Sequence, residues 1–222
     1  MTRLLLATSN PGKQDELRRL LAHLPGEVVT PGEIGLSLEV EEPYETYAEN
    51  AAAKADAFAR ASGLLSIADD SGIEVAALDW GPGVRSARWG GGRNADRMLK
   101  AVGEATDRRA RMVCAIAIGI PAAEGPRVEL FTGLVEGAVA SERRGSGGFG
   151  YDPIFLLPSG VTTAELPEAE KDRISHRGRA VAAATPRLLA LLGESAADAA
   201  PWSIGPTSVG DDRPLVRDRR RS

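Results

Sequence analysis

The stretch Leu65-Ser66-Ile67-Ala68-Asp69-Asp70-Ser71-Gly72 constrains this chain more than any other. An apolar run stops abruptly at two carboxylates, a hydroxyl and a glycine. The pattern predicts a buried strand that delivers acidic groups to its carboxyl end, where the chain turns. Successive side chains of a strand point to opposite faces. Asp69 and Asp70 are therefore expected to differ in role, one facing a site and the other binding backbone or capping the turn. Acids at a strand end suit Mg²⁺, a hard ion that prefers oxygen and usually takes only one or two carboxylates. The plain alternative is an Asx-turn, in which both aspartates satisfy loop amides. Taken alone, the stretch favours the plain alternative; three other stretches reverse the balance.

Those stretches sit in a chain of 222 residues, long enough for one substantial domain or two small lobes. With 43% hydrophobic and 26% charged residues, its composition is that of a soluble globular protein. A formal net charge of -4 gives no electrostatic case for nucleic acid or a membrane surface as partner. No uninterrupted apolar stretch is long enough to span a bilayer. Met1 to Ala7 is too short for a secretory apolar region with a cleavage site, and reads as the first strand of a cytoplasmic protein. The single cysteine, Cys114, excludes an internal disulfide and a cysteine-rich zinc site, and reads as a buried, inert thiol. Arginine is the default cation, so the few lysines (Lys13, Lys54, Lys100 and Lys171) mark candidate places for a compact ammonium.

Residues 3–8 read as a short buried strand. Ser9 to Lys13 is a turn, and residues 14–24 carry helical spacing, with Leu17, Leu20, Leu21 and Leu24 on one face. A polar, glycine-containing turn before a helix offers N–H groups and the positive end of the helix dipole to an anion, and Lys13 adds a point charge. The Walker A spacing is absent, and a simple capped helix with a solvated lysine is an equal alternative. Residues 27–30 read as a second strand, and residues 31–43 as a loop made acidic by Glu39, Glu41 and Glu42. Residues 45–61 form an alanine-rich helix on which Asn50 and Lys54 share a face. Asparagine is a poor helix-interior residue, which points to a side-chain task. One of the three glutamates can complete a metal site with the aspartate pair; solvated loop acids are the alternative.

Ile73 to Leu78 reads as another strand, and Trp80 to Gly92 as a long glycine-rich loop, a type that is often functional. Residues 94–105 read as a helix opened by an asparagine cap. Residues 111–120 form an apolar strand and residues 127–140 a long strand or a hairpin. The glycines flanking Phe149 let backbone approach a ligand while the ring stacks on it, or else Phe149 simply anchors a turn. His176-Arg177 supplies neighbouring planar donors at a helix start, or else a cap with solvated charges. Residues 177–192 read as a helix, with Pro186 a candidate kink. From Glu194 the composition shifts, predicting a domain over residues 1–193 and a flexible tail over residues 194–222.

Six blocks, taken in order and spacing, carry a resemblance. They are Thr8 to Lys13, Glu42 with the Glu49-Asn50-Ala51-Ala52-Ala53-Lys54 helix, Ala68 to Gly72, Pro82 to Arg88, Gly148-Phe149-Gly150-Tyr151-Asp152-Pro153, and Lys171-Asp172-Arg173-Ile174-Ser175-His176-Arg177-Gly178. Over residues 3 to about 192 the chain resembles the inosine triphosphate pyrophosphatase family, which includes the bacterial dITP/XTP pyrophosphatases. The resemblance implies an α/β fold of the Maf/Ham1 kind: a long, mixed, twisted sheet flanked by helices, two lobes around a central cleft, and usually a homodimer. It implies Mg²⁺-dependent attack of water on the α-phosphorus of a purine nucleoside triphosphate (ITP, dITP or XTP), giving the nucleoside monophosphate and pyrophosphate. Carried over by motif, Thr8, Ser9, Asn10, Pro11, Gly12 and Lys13 hold the triphosphate. Glu42 and Asp70 bind Mg²⁺, and Asp70 is also the proton acceptor. Ser71 contacts substrate, and Phe149, Gly150, Tyr151 and Asp152 grip base and sugar. Lys171, His176 and Arg177 complete the base pocket and phosphate contacts, with Asp69, Lys54 and Asn50 in support.

The chemistry agrees with that assignment. A triphosphate needs neutralisation by lysines, helix-start amides and a metal where charge shifts in the transition state. A 6-keto purine presents an acceptor where adenine presents a donor; donors such as His176 and Arg177 accept the first and reject the second. A buried donor left facing a donor costs roughly 1–3 kcal/mol. Phe149 stacks on any base and so supplies affinity rather than selectivity. Asp172 departs from the asparagine common in the family, and Ser9 from a glycine or other small residue. A Maf-like pyrophosphatase for modified pyrimidines is opposed by Ser175-His176-Arg177. A non-catalytic purine nucleotide sensor is opposed by Glu42 with Asp69-Asp70. A nucleic-acid module rests only on the arginine-rich tail.

Overall fold

A seven-stranded mixed sheet carries the site. The computed structural model describes residues 2–193; the expected tail, residues 194–222, lies outside the described residues. In chain order the elements are β1 (Arg3–Leu6), α1 (Pro11–Leu21), β2 (Glu27–Val29), α2 (Tyr47–Ser62), β3 (Leu65–Val75), β4 (Gly81–Pro82), α3 (Asn94–Val102), β5 (Arg109–Ile120), β6 (Arg127–Val139), β7 (Phe155–Leu156), α4 (Glu168–Ile174) and α5 (His176–Gly193). The strand order is β2-β1-β3-β5-β6-β7, with β4 on β3. β1 pairs in parallel with β2 and β3, and the remaining pairs are antiparallel. This is the α/β architecture expected, a mixed sheet flanked by helices. Residues 127–139 are one long strand rather than a hairpin.

The strand β3 corrects the expectation on which the sequence reading turned. It does not end at Asp69-Asp70-Ser71-Gly72; it runs on to Val75. Asp69 lies opposite Ile116, Asp70 opposite Ala115, Ser71 opposite Cys114 and Gly72 opposite Val113 on β5. The Asx-turn alternative falls with it. The separate strand expected over residues 73–78 is the end of β3 followed by a short 3₁₀ turn, Ala76–Leu78. The acids stay in the ladder because each side chain has partners off the sheet, so neither has to fold back on its own backbone.

Alternation then sorts β3 into two faces. Leu65 and Ile67 face α1 and α5, in a core that includes Leu4, Leu6, Leu17, Leu21, Ile116, Ile118, Ala184 and Leu188. Ala68 faces α2, with Leu5, Ala51, Ala55, Phe58, Ala115 and Ala117. A third core, around Met98, Met112, Tyr151, Ile154 and Phe155, fills the far end beneath α3. Each large apolar side chain fully withdrawn from water contributes about 1.5–3 kcal/mol, so both faces of β3 are firmly held.

Local signals fix the helix starts that matter. Pro11 stands in the first turn of α1, and Asn10 caps it by accepting the Lys13 N–H at 3.1 Å. The expected turn over residues 9–13 is thus partly helix. Thr46 caps α2 by accepting the Glu49 N–H at 3.2 Å. Asn94 does not cap α3 as expected: Arg93 holds the cap position without a side-chain bond, and Asn94 reaches elsewhere. Pro186 lies inside α5 without ending it.

Candidate active site

Buried charge organises the cleft side of β3. Arg177, at the start of α5, is 2% exposed. Its Nε and Nη2 lie 3.2 and 3.0 Å from Asp69 Oδ2, its Nη1 2.7 Å from Glu16 Oε2, and its Nη2 donates to Ser71 Oγ at 2.9 Å. Lys13 Nζ meets the same Asp69 oxygen at 3.0 Å. Burial alone would raise the Asp69 carboxyl, but Lys13 and Arg177 outweigh it and hold the group well below the usual carboxylate range. Burial opposes the Arg177 charge too, and Asp69 and Glu16 more than restore it. Asp69 Oδ1 and Glu16 Oε1 are buried without a partner.

The loop before β7 forms the next wall. Asp152 accepts the Phe149 N–H at 2.7 Å and pairs with Lys171 Nζ at 2.6 Å, while Thr163 donates to its other oxygen at 2.9 Å. The Phe149 ring lies with Lys171 and Arg177 at 5.4 and 5.6 Å from its centre. The ring also packs on Gly12, where a β-carbon would sit 2.9 Å from Phe149 Cδ1. Glycine at that position lets the aromatic wall close on the α1 start. His176 is buried, and burial followed by Arg177 and Lys171 holds its imidazole well below the usual value. The neutral ring keeps one N–H to donate and adds no charge.

Together these groups line a cleft of about 250 Å³. Of the expected residues, Asn10, Lys13, Ser71, Phe149, Gly150, Tyr151, Asp152, Lys171, His176 and Arg177 line it. Thr8, Ser9, Pro11 and Gly12 are not part of that lining: Thr8 Oγ1 accepts the Asn10 N–H at 3.2 Å, and Ser9 and Pro11 are exposed. Tyr151 is directed into the fold, its hydroxyl donating to the Ser86 carbonyl at 2.9 Å.

A second cluster lies on the α2 face of β3. Lys54 Nζ is 2.5 Å from Glu42 Oε1, 2.6 Å from the Asp69 carbonyl and 3.9 Å from Asp70 Oδ1. Asn50 Nδ2 donates to Asp70 Oδ2 at 3.2 Å and to the Tyr44 carbonyl at 3.1 Å. Arg88 Nη2 holds the other Glu42 oxygen at 3.0 Å. Asp70 is 6% exposed. Its burial and the nearby Glu42 raise its carboxyl pKa despite Lys54 and Lys13. The two clusters touch through Lys54, whose ammonium bonds the Asp69 backbone while facing Asp70.

Among the described residues, no three His, Cys, Asp or Glu side chains converge as a ready-made metal cage. The Glu42 and Asp70 carboxylates nevertheless fit a Mg²⁺ ion, which takes one or two carboxylates and fills its other positions with water and phosphate oxygens. Burial chiefly raises the Asp70 carboxyl and Glu42 adds to it, and a divalent cation would offset both carboxylate charges.

Sequence reasoning missed Glu16, Ser86, Ala87, Asn94 and Met112. Glu16 carried a faint signal: it follows Lys13 by one helical step on the face that holds Leu17. Asp172 takes Arg19 Nε at 2.9 Å and Nη2 at 3.3 Å, so the departure from asparagine ties α4 to α1. Cys114 is buried as expected, its thiol pushed up to about 12 by burial and by Asp69.

Residues 4–187 match the model of the Ham1 family. A dITP/XTP pyrophosphatase of Methylococcus capsulatus is 46% identical over 199 residues, spanning 86% of this chain and 98% of that protein. A dITP/XTP pyrophosphatase of Symbiobacterium thermophilum is 48% identical over 200 residues, with the same coverage of 86% and 98%. The structure of a HAM1 protein from Coxiella burnetii superposes with a TM-score of 0.73 at 37% identity, covering 88% of this chain and 100% of that one.

Proposed function

The chain belongs to the Ham1 family, and we infer from that membership and from the cleft that it hydrolyses non-standard purine nucleoside triphosphates, ITP, dITP and XTP, to the monophosphate and pyrophosphate. It is a hydrolase of phosphoric anhydrides. The observation that carries this reading is the pairing of a donor-rich, aromatic-walled cleft with a carboxylate pair across one strand.

In this reading the base stacks on Phe149. Neutral His176 and Arg177 present N–H donors to the 6-keto edge, which adenine's amino group cannot match. Lys13 and the first amides of α1 receive phosphate oxygens. A polyanion draws Lys13 partly away from Asp69, while Arg177 keeps Asp69 compensated. Thr8 and Asn10 hold the shape of that turn. Lys171 is held to Asp152 and borders the base and the sugar. Glu42 and Asp70 would hold Mg²⁺, which when bound neutralises phosphate charge and lowers the pKa of a bound water. Asp70, raised from its ordinary value by burial, takes the proton of the attacking water. Asn50 and Lys54 fix its orientation.

The same reading makes the enzyme a cytoplasmic homodimer with small-molecule substrates only; the -4 net charge gives no electrostatic case for a polyanionic partner. Pyrophosphate release from ITP, dITP, XTP, ATP, GTP and dUTP, with Mg²⁺ and with EDTA, tests it. Mg²⁺-dependent release from the first three, with ATP and GTP slow, is expected. Orthophosphate as the product would move the cut to the γ-phosphate and overturn the mechanism.

A further inference from the structure

We propose that Asn94 is a positioning residue that latches the segment Gly83–Trp89 across the site and thereby sets Arg88 against Glu42; this rests on the pyrophosphatase reading above. Asn94 opens α3 and lines the cleft beside Ser86 and Ala87. A capping asparagine spends its side chain on amides of its own helix. Asn94 spends its side chain on the segment before the helix instead. Its Oδ1 accepts the Gly90 N–H at 2.7 Å, and its Nδ2 donates to the Ser86 and Ala87 carbonyls, both at 3.2 Å.

Ser86 is where three parts of the fold converge. It is 2% exposed. Its carbonyl receives Asn94 from α3 and, at 2.9 Å, the Tyr151 hydroxyl from the Phe149–Asp152 wall. Its hydroxyl accepts the Ile73 N–H of β3 at 2.9 Å and donates to the Gly83 carbonyl at 2.6 Å. Two residues further on, Arg88 reaches Glu42 Oε2 at 3.0 Å and the Glu42 carbonyl at 3.4 Å. The Arg88 side chain is 63% exposed, so its ion pair is weak by itself and keeps its place only if the backbone beneath it is fixed. Asn94 and Tyr151 supply that fixation. The latch therefore joins the wall that holds the base to the carboxylate at the reacting end.

The test compares Asn94→Asp, Arg88→Gln and the double variant in the full chain, with ITP as substrate. Asn94→Asp is nearly isosteric, keeps the acceptor for Gly90 and turns two donors into acceptors facing carbonyls. Loss of two hydrogen bonds at the latch is expected to lower kcat about tenfold while KM moves less than about threefold. Because both residues act through one segment, the double variant should be within about twofold of Asn94→Asp alone. A lowered thermal midpoint with wild-type kcat and KM would make Asn94 a plain structural anchor and overturn the proposal, as would independent, multiplying effects of the two substitutions. If Asn94→Asp gives no folded protein, Tyr151→Phe removes the other donor on the Ser86 carbonyl and should show the same kcat-selective loss; a loss confined to KM would overturn the latch. A wild-type enzyme that releases no pyrophosphate from any purine triphosphate would overturn the premise and the proposal together, and is seen before any variant is made.

Discussion

Arg177 and Asp69, 108 residues apart in the chain, meet through a single carboxylate oxygen with both side chains withdrawn from water. The pair clamps the start of α5 to the middle of β3. It also explains how a strand can carry an aspartate at 0% exposure without unfolding around it. Removing one partner of a buried pair strands the other charge, at a cost of about 3–5 kcal/mol.

Asp69→Asn keeps the shape and removes the charge, leaving Arg177 with Glu16 alone and taking from Lys13 its ion pair. We expect urea unfolding at neutral pH to show a loss of about 3 kcal/mol. KM for ITP should rise as well, because Lys13 and Arg177 lose the acceptor that aims them. A loss below about 1 kcal/mol would mean that hydration, not Asp69, compensates the guanidinium.

Asp70→Asn should behave differently, although it changes the neighbouring residue. Its partners are Asn50 and Lys54 on the opposite face, away from the base cleft. Turnover should fall by at least the 10²–10⁴-fold typical of a general base (an order-of-magnitude range). Equilibrium binding of ITP should persist. Pyrophosphate release near the wild-type rate would remove Asp70 from the chemistry.

Gly72 allows the segment around Ser86 to lie flat on β3. A β-carbon there would collide with the Gly83 carbonyl oxygen, with Ser86 Oγ at 2.6 Å and with the Tyr47 hydroxyl at 2.8 Å. Forcing that volume in costs about 1–3 kcal/mol. Gly72→Ala should therefore lower the thermal midpoint and, by lifting the segment, lower kcat. An alanine variant with native stability and rate would show that the segment moves freely.

Much of this was legible in the sequence, and the gaps have physical causes. Alternation alone separated Asp69 from Asp70, and the structure sends them to opposite faces of β3. Three of the four lysines, Lys13, Lys54 and Lys171, hold carboxylates around the cleft, whereas Lys100 is exposed on α3. The continuation of β3 was not legible, because Asp-Asp-Ser-Gly has the local preferences of a turn and only its pairing with β5 overrides them. Glu16 reads as a solvated helix residue until Arg177, 161 residues away, is known to sit over it. Asn94 reads as a cap because a local rule cannot see the Ser86 carbonyl. For β3 and Glu16 a long-range partner decided the outcome; for Asn94 it was the segment four to eight residues before it.

His176 gives stability a pH dependence with a definite sign. Its imidazole is buried. Burial, then Arg177 and Lys171, then Lys13 press its pKa down, and Asp69 only partly opposes them. An unfolded histidine titrates near 6.5. Below that pH the unfolded chain takes up a proton that the folded chain refuses, so the contribution is complete above about pH 6.5 and is lost as pH falls. The slope from this one site is at most about 1.4 kcal/mol per pH unit. Urea unfolding of the wild type and of His176→Gln from pH 8 down to about 5.5 measures it, with the exposed His23 common to both proteins. The wild-type stability should fall more steeply than that of the variant below about pH 6.5. Parallel curves would mean that His176 takes up its proton in the folded state, and the neutral donor assigned to it in base selection would go with that result.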